Sequence, residues 1–244
     1  MYQFFVEEEQ VIGQEQIVIT GADVNHIRNV LRMHGGEKVR ISDTSGRAYF
    51  CHLEEVGEAQ VLACIDEVDE EGTELHHKIC LFQGLPKADK MELIIQKATE
   101  LGVSTIVPVA MKNCVVKLDE KKADSKVKRW KSIAEAAAKQ SKRTVIPEVT
   151  MPVSYGRALE MASEMDVKLV PYENERGMEA TREALRGIKS GESIAVFVGP
   201  EGGFAPEEIA LPEEFCRISL GRRILRTETA GFATLAMLVY ELDQ

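Results

Sequence analysis

The amino-acid sequence predicts a two-part α/β chain: a small β-barrel, then a mostly parallel sheet covered by helices. Three observations lead there. At 244 residues the chain exceeds one small domain. Short apolar runs with polar turns crowd the first seventy or so positions, which suits a barrel of short strands. From about residue 75 strands alternate with helical segments instead. The acidic stretch from Asp66 to Gly72 marks the expected division, giving domains 1–72 and 73–244.

In the first part, strands are expected at 2–6, 15–20, 38–42, 47–56 and 59–68, with a turn at 43–46. One helix interrupts them at 23–32, where Ile27, Val30 and Leu31 take core spacing and Arg28 and Arg32 lie one turn apart on the other side. The pair Gly35-Gly36 is expected to end it.

The second part opens with a helix over 89–101, whose Met91, Ile94, Ile95, Ala98 and Leu101 share a face. Asp89 and Glu92 suit a capping box, and Gly102 supplies a stop. Strands follow at 106–109, 144–149, 167–171, 193–199 and 216–220, alternating with helices near 125–141, 155–164, 177–188 and 228–242. Thr227 or Glu228 suits the cap of the last helix. Its Leu235, Met237, Leu238 and Val239 suit either a core or an interface between copies.

Composition narrows the function classes. A hydrophobic fraction of 44% and a charged fraction of 29% are ordinary for a globular protein. No apolar run is long enough to cross a membrane, and the N-terminus reads apolar then acidic, the reverse of a secretory signal. A cytoplasmic setting with no membrane partner is therefore expected. The five cysteines never fall as CxxC, and the five histidines do not complete a zinc spacing, so reduced thiols and no metal are expected. The net charge of −10 is unevenly spread: residues 1–72 hold 15 acids and 5 bases, and the remainder balances. All five of those bases lie between 28 and 47, and a second run at 112–143 holds 11 bases against 4 acids. A polyanion responds to such local fields more than to net charge. Solvated helix faces explain a charge run equally simply.

Ligands of open α/β sheets bind beyond the carboxyl ends of the strands. Three loops in the last third suit such a site: Pro171-Tyr172-Glu173, Val198 to Phe204 (VGPEGGF), and Leu220 to Ala230 (LGRRILRTETA). The glycines of the second permit close approach of backbone to a ligand. Neither a P-loop nor a dinucleotide signature is present. Residue types alone leave the ligand unnamed.

VGPEGGF and LGRRILRTETA closely resemble the two signature loops of the 16S ribosomal RNA uridine-N3 methyltransferase family. So do KADKMELIIQKATELGV (87–103), HIRNVLRMHGGEKVRISDTSG (26–46) and AAAKQSKRTVIPEV (136–149), in the same order along nearly the whole chain. One departure is Asn113, where the family usually carries an arginine. The resemblance implies a PUA-like RNA-binding β-barrel, then an α/β domain of the SPOUT class with a deep trefoil knot. It implies a homodimer that uses S-adenosyl-L-methionine to methylate 16S ribosomal RNA, within the 30S subunit. Carried over by motif, the cofactor residues are Val170, Pro171, Val198, Gly199, Pro200, Glu201, Gly202, Gly203, Leu220, Gly221, Ile224, Leu225, Thr227, Thr229 and Ala230. Uridine N3 must lose its proton before it attacks, and the resulting anion needs a cation. Arg226 is expected to supply the cation, and Glu201 or Glu228 the base, although each carboxylate could orient Arg226 instead and water could take the proton. RNA contacts are expected from Arg28, Arg32, Arg47, Lys112, Lys128, Arg129, Lys142 and Arg143.

Overall fold

A computed structural model describes residues 1–243. They form two compact units: Met1–Glu74 with Ala138–Val145, and Leu75–Ala137 with the chain from Ile146 onward. The expected division at 72/73 took no account of the return of 138–145 to the first unit.

Six strands build the first unit: β1 (Tyr2–Val6), β2 (Val11–Ile12), β3 (Gln16–Thr20), β4 (Lys38–Asp43), β5 (Ala48–Val56) and β6 (Gln60–Asp69). Their order is β1-β4-β5-β6-β3-β2, with β1 parallel to β4 and the other pairs antiparallel. Pairing ends at β1 and β2, so the expected barrel is an open half-barrel. A two-residue β2, following the 3-10 turn Glu8–Gln10, offers too little edge to close the ring. The alternation read from sequence does set the inner face. Ile17 and Ile19, Cys51 and Leu53, and Val61 and Ala63 are all buried.

The helix after β3 differs from expectation. One short turn, α1 (Ala22–Asn25), widens into a π-helical segment, His26–Leu31, where the Met33 amide reaches back to the Ile27 carbonyl at 3.0 Å. This wider winding breaks the 3.6-residue spacing. Ile27 and Met33 are buried, and Val30, expected in the core, is 61% exposed. The helix stops at Arg32, whose φ is 54°, rather than at the later glycine pair.

Residues 138–145 are tied into the first unit by Glu74. Its carboxylate accepts from Arg143 Nε (3.1 and 3.2 Å) and from the amides of Thr144 (2.9 Å) and Val145 (3.3 Å). Gln3 Nε2 donates to the Arg143 carbonyl at 2.5 Å, and Arg40, itself paired with Asp69, donates to the Lys142 carbonyl. Because Thr144 and Val145 give their amides to Glu74, the strand expected at 144–149 contracts to Glu148–Val149.

In the second unit all strands run parallel: β7 (Ile79–Gly84), β8 (Thr105–Ala110), β9 (Glu148–Val149), β10 (Val153–Ser154), β11 (Val167–Pro171), β12 (Ile194–Val198) and β13 (Phe215–Ile218). The order is β10-β8-β7-β12-β11-β13, with β9 beside β8. The sequence reading missed β7, which is buried along its whole length and so shows no alternation. Helices α2 (Lys90–Glu100), α4 (Tyr155–Ser163), α5 (Glu179–Arg186), α6 (Pro206–Ile209) and α7 (Thr227–Leu242) complete it, and α3 (Glu120–Ser141) has its last turn in the first unit. Helix α2 buries Met91, Ile94, Ile95 and Ala98, as their spacing predicts. The expected capping box does not form. Asp89 makes no side-chain cap, and Glu92 pairs with Arg129 at 2.7 Å. Phe82 of β7 stacks on Phe197 of β12, with ring centroids 4.4 Å apart. Leu235 and Leu238 of α7 are fully buried core residues. No helix among the described residues is long and apolar enough to cross a membrane.

Candidate active site

Parallel register brings four strand ends to one edge of the second sheet. Val198 of β12 lies beside Gln83 of β7, Leu169 of β11 beside Val196, and Pro171 beside Ile218 of β13. The loops that follow therefore gather where α/β sheets bind ligands. Gly84 ends β7 where any side chain would collide, since a Cβ there would lie 2.7 Å from Pro200 and 2.8 Å from Met111 Sδ. Pro200 can thus sit directly on the strand end. Beyond it, Gly203 takes a φ of 67° and its amide closes a turn onto the Pro200 carbonyl at 2.9 Å. Asn113 braces the same turn, donating from Nδ2 to the carbonyls of Gly202 (3.0 Å) and Gly203 (3.2 Å).

Thr227 links three of these pieces. Its hydroxyl accepts from buried Gln83 Nε2 at 2.9 Å and donates to the Gly199 carbonyl at 2.6 Å. The start of α7 is thereby fastened to β7 and to the glycine loop. Neither Thr227 nor Glu228 caps the helix as expected, because both side chains are engaged elsewhere, and Arg226 occupies the N-cap position with extended backbone and no side-chain cap.

Lys90, at the start of α2, stands between the two glutamates. Its ammonium lies 3.0 Å from Glu201 Oε1 and 3.2 Å from Glu228 Oε2. The Lys87 amide also donates to Glu201, at 3.1 Å. Burial alone would raise the Glu201 carboxyl, but the amides of Glu201 itself and Lys87, with the Lys90 ammonium, outweigh it and hold the group below its ordinary range. Hydrogen bonding to Glu201, and then to Glu228, raises the Lys90 ammonium against the opposing effect of burial.

A cleft of about 460 Å³ opens among these loops, lined by Lys90, Pro171, Glu173, Val198 to Phe204, Ile224 to Thr227 and Ala230. A smaller pocket adjoins it, sharing Pro171, Glu173, Ile224, Leu225 and Ala230 and adding Tyr172, Arg176 and Leu220 to Arg223. The structure thus brings together every residue expected at the cofactor site except two. Val170 is buried in the core and Thr229 is turned to solvent, and neither lines the cleft. Lys90 was missed in the sequence, since its partners lie more than a hundred positions away.

The expected RNA-binding residues are dispersed. Arg28, Arg32 and Arg47 are exposed on the first unit, with Arg28 paired to Glu58 at 3.0 Å. On the second, Lys112 pairs with Glu207 and Arg129 with Glu92, while Lys128 is exposed. Lys142 donates to the Met1 carbonyl at 2.7 Å. Arg143 is a correction: it is 4% exposed, its guanidinium bound to Glu74, so it offers no surface to a polyanion.

This parallel sheet with its loop-built cleft, preceded by a half-barrel, agrees with two family matches. Residues 73–239 match the model of an RNA methyltransferase domain, and residues 19–64 that of an RNA methyltransferase PUA domain. A relative from Bacillus subtilis, named ribosomal RNA small subunit methyltransferase E, is 36% identical over 250 aligned positions, covering 100% of this chain and 98% of its own. A solved structure of the protein of that name from Neisseria gonorrhoeae, bound to S-adenosyl methionine, is 30% identical, with a TM-score of 0.84 and coverage of 98% and 97%. A methyltransferase structure from Legionella pneumophila, in complex with the cofactor SAM, is 32% identical, with a TM-score of 0.83 and the same coverage. The chain belongs to this RNA methyltransferase family, that of ribosomal RNA small subunit methyltransferase E.

Proposed function

We propose that the chain transfers a methyl group from S-adenosyl-L-methionine to N3 of a uridine in 16S ribosomal RNA, acting on the 30S subunit as a homodimer. The cleft at the strand ends carries this reading, supported by the family membership and by the cofactor in the two solved relatives. A ribosomal substrate makes the setting cytoplasmic. The class also implies a SPOUT domain with a deep trefoil knot, and the N-terminal unit, 1–72 by sequence, is read as the RNA-binding PUA-like part. For the dimer, the supporting observation is Tyr240 on the apolar helix α7, 86% exposed.

The residues present fit the cofactor. The volume lies in the range of roughly 300–1,000 Å³ typical of small-molecule clefts. Cβ atoms at Gly199 or Gly203 would crowd Phe204 or Glu173 at 3.2 Å, so the glycines leave a wall made of backbone. Pro171, residues 198–203, Leu220, Gly221, Ile224 and Leu225 would hold adenine and ribose, with Thr227 and Ala230 beneath. When bound, the cofactor supplies an electrophilic methyl group on a sulfonium.

Arg226, exposed at the head of α7, presents the guanidinium that stabilises negative charge on the uridine carbonyls. Glu201 is a poor base, because its amide and ammonium partners favour the ionised form. Glu228, the other carboxylate, pairs with Lys90 and is not among the residues lining the cleft, which leaves water as the acceptor for the N3 proton. Glu201 instead fixes the glycine loop to the start of α2.

The test mixes the purified protein with labelled S-adenosylmethionine and 30S subunits from cells lacking the gene, and analyses the digested RNA by mass spectrometry. The expected product is 3-methyluridine, with Arg226→Ala losing turnover far more than cofactor affinity. Label in another nucleoside would sink the N3 assignment. No label despite cofactor binding would sink the activity.

A further inference from the structure

Four arginines that the fold leaves without carboxylate partners gather at the cleft and its adjoining pocket. Arg176, Arg222, Arg223 and Arg226 are exposed, line the two adjoining pockets, and have no ion pair among the described residues. Their neighbours do otherwise: Arg217 pairs with Glu175 at 3.3 Å and Arg182 with Glu179 at 3.7 Å. Glu173 is the one acid lining the smaller pocket, against three arginines. Like charges gathered on one rim repel, so a bound anion relieves them. The planar fork of a guanidinium matches the two free oxygens of a phosphodiester.

We propose that Arg176, Arg222 and Arg223 form a phosphate-binding rim that grips the RNA backbone beside the reacting nucleotide while its base enters the cleft next to Arg226. This rests on the methyltransferase reading and adds to it the surface where the substrate backbone is held. The loop from Arg222 to Arg226 passes from the smaller pocket to the larger, so phosphate contacts and the reacting base fall on one continuous segment. In the charge run at 112–143, Lys112 and Arg129 are paired and Arg143 is buried. Lys117, Lys121, Lys128 and Lys131 are exposed there with no ion pair among the described residues, so the rim adds to that run rather than replacing it.

The test measures binding of 16S ribosomal RNA by the full-length protein from about 50 to 200 mM salt, for wild type, Arg222→Ala/Arg223→Ala, Arg176→Ala and Arg129→Ala. The double variant is expected to bind about tenfold or more weakly at 150 mM, and to reduce the slope of log affinity against log salt by about 1.5 to 2. Arg176→Ala should remove slightly less than one from the slope, and Arg129→Ala, whose guanidinium serves Glu92, about half of that or less. Cofactor affinity and the melting midpoint should be unchanged in the rim variants. An unchanged slope in the double variant overturns the rim. So does a parallel loss of cofactor affinity, which would assign these arginines to the cofactor pocket. Wild-type protein that binds RNA with the expected slope but transfers no methyl group would refute the methylation reading while leaving the rim standing.

Discussion

Lys90 shows how one side chain can change the roles of two others. Both carboxylates that sequence reasoning offers as bases lie within 3.2 Å of its ammonium, and one is fixed further by backbone amides. Replacing Lys90 by alanine releases both, and cofactor affinity is expected to fall about tenfold, as a calorimetric titration would measure. An affinity within twofold of wild type would mean the clamp is irrelevant to the cleft. Asp43 makes a comparable case for stability. Its Oδ1 accepts from the amides of Ser45 (2.9 Å) and Arg47 (3.1 Å), and its Oδ2 from the Tyr49 hydroxyl (2.8 Å). Burial raises its carboxyl, but these bonds together with the Ser45 hydroxyl prevail and lower it below 3.8. A carboxylate depressed in the folded state stabilises above its unfolded pKa, and that contribution disappears as pH falls through the depressed value. Asp43→Ala should therefore cost about 2 kcal/mol near neutrality, with the gap to wild type closing below pH 3.8. A gap that does not narrow at all as pH falls from neutrality through the carboxylate range would assign the loss to packing instead.

At the scale of elements, the decisive contacts join segments distant in sequence. Glu74 binds Arg143 and two amides across some seventy positions, and it does so with its partner almost fully buried. Removing one member of a buried pair costs roughly 3–5 kcal/mol, because the other loses its compensation. Glu74→Ala is therefore expected to lower the melting midpoint by well over 5 °C, on the scale of a few degrees per kcal/mol. A shift of a degree or less would show that the first unit does not depend on this tie. The π-helical segment teaches a different point. Its core residues, Ile27 and Met33, follow a winding that no 3.6-residue template describes, and so Val30 was misplaced.

Across the whole molecule, legibility followed burial on one face. Strands β3, β5 and β6 are half-buried and alternate, so they could be read directly. Strand β7, buried throughout, carries no period and was missed, although it stands at the centre of the second sheet and supplies Gln83 and Gly84 to the site. The cleft loops were legible because their glycines and signatures are local. Lys90 and the arginine rim were not, since pairing and its absence are properties of the fold. The half-barrel needs a segment that its own first 74 residues do not contain. A fragment 1–74 is expected to melt broadly and at lower temperature than the first unit of the full chain, and joining 138–145 to it through a flexible linker should sharpen the transition. A sharp, undiminished transition for 1–74 alone would refute that dependence.

The chain is synthesised from its N-terminus, and Glu74 emerges long before the residues it holds. The half-barrel must therefore wait, incomplete, while β7, α2, β8 and most of α3 are made. During that interval Glu74 has neither Arg143 nor the two amides to bind. The order of translation thus couples the maturation of the N-terminal unit to the birth of the first part of the catalytic one.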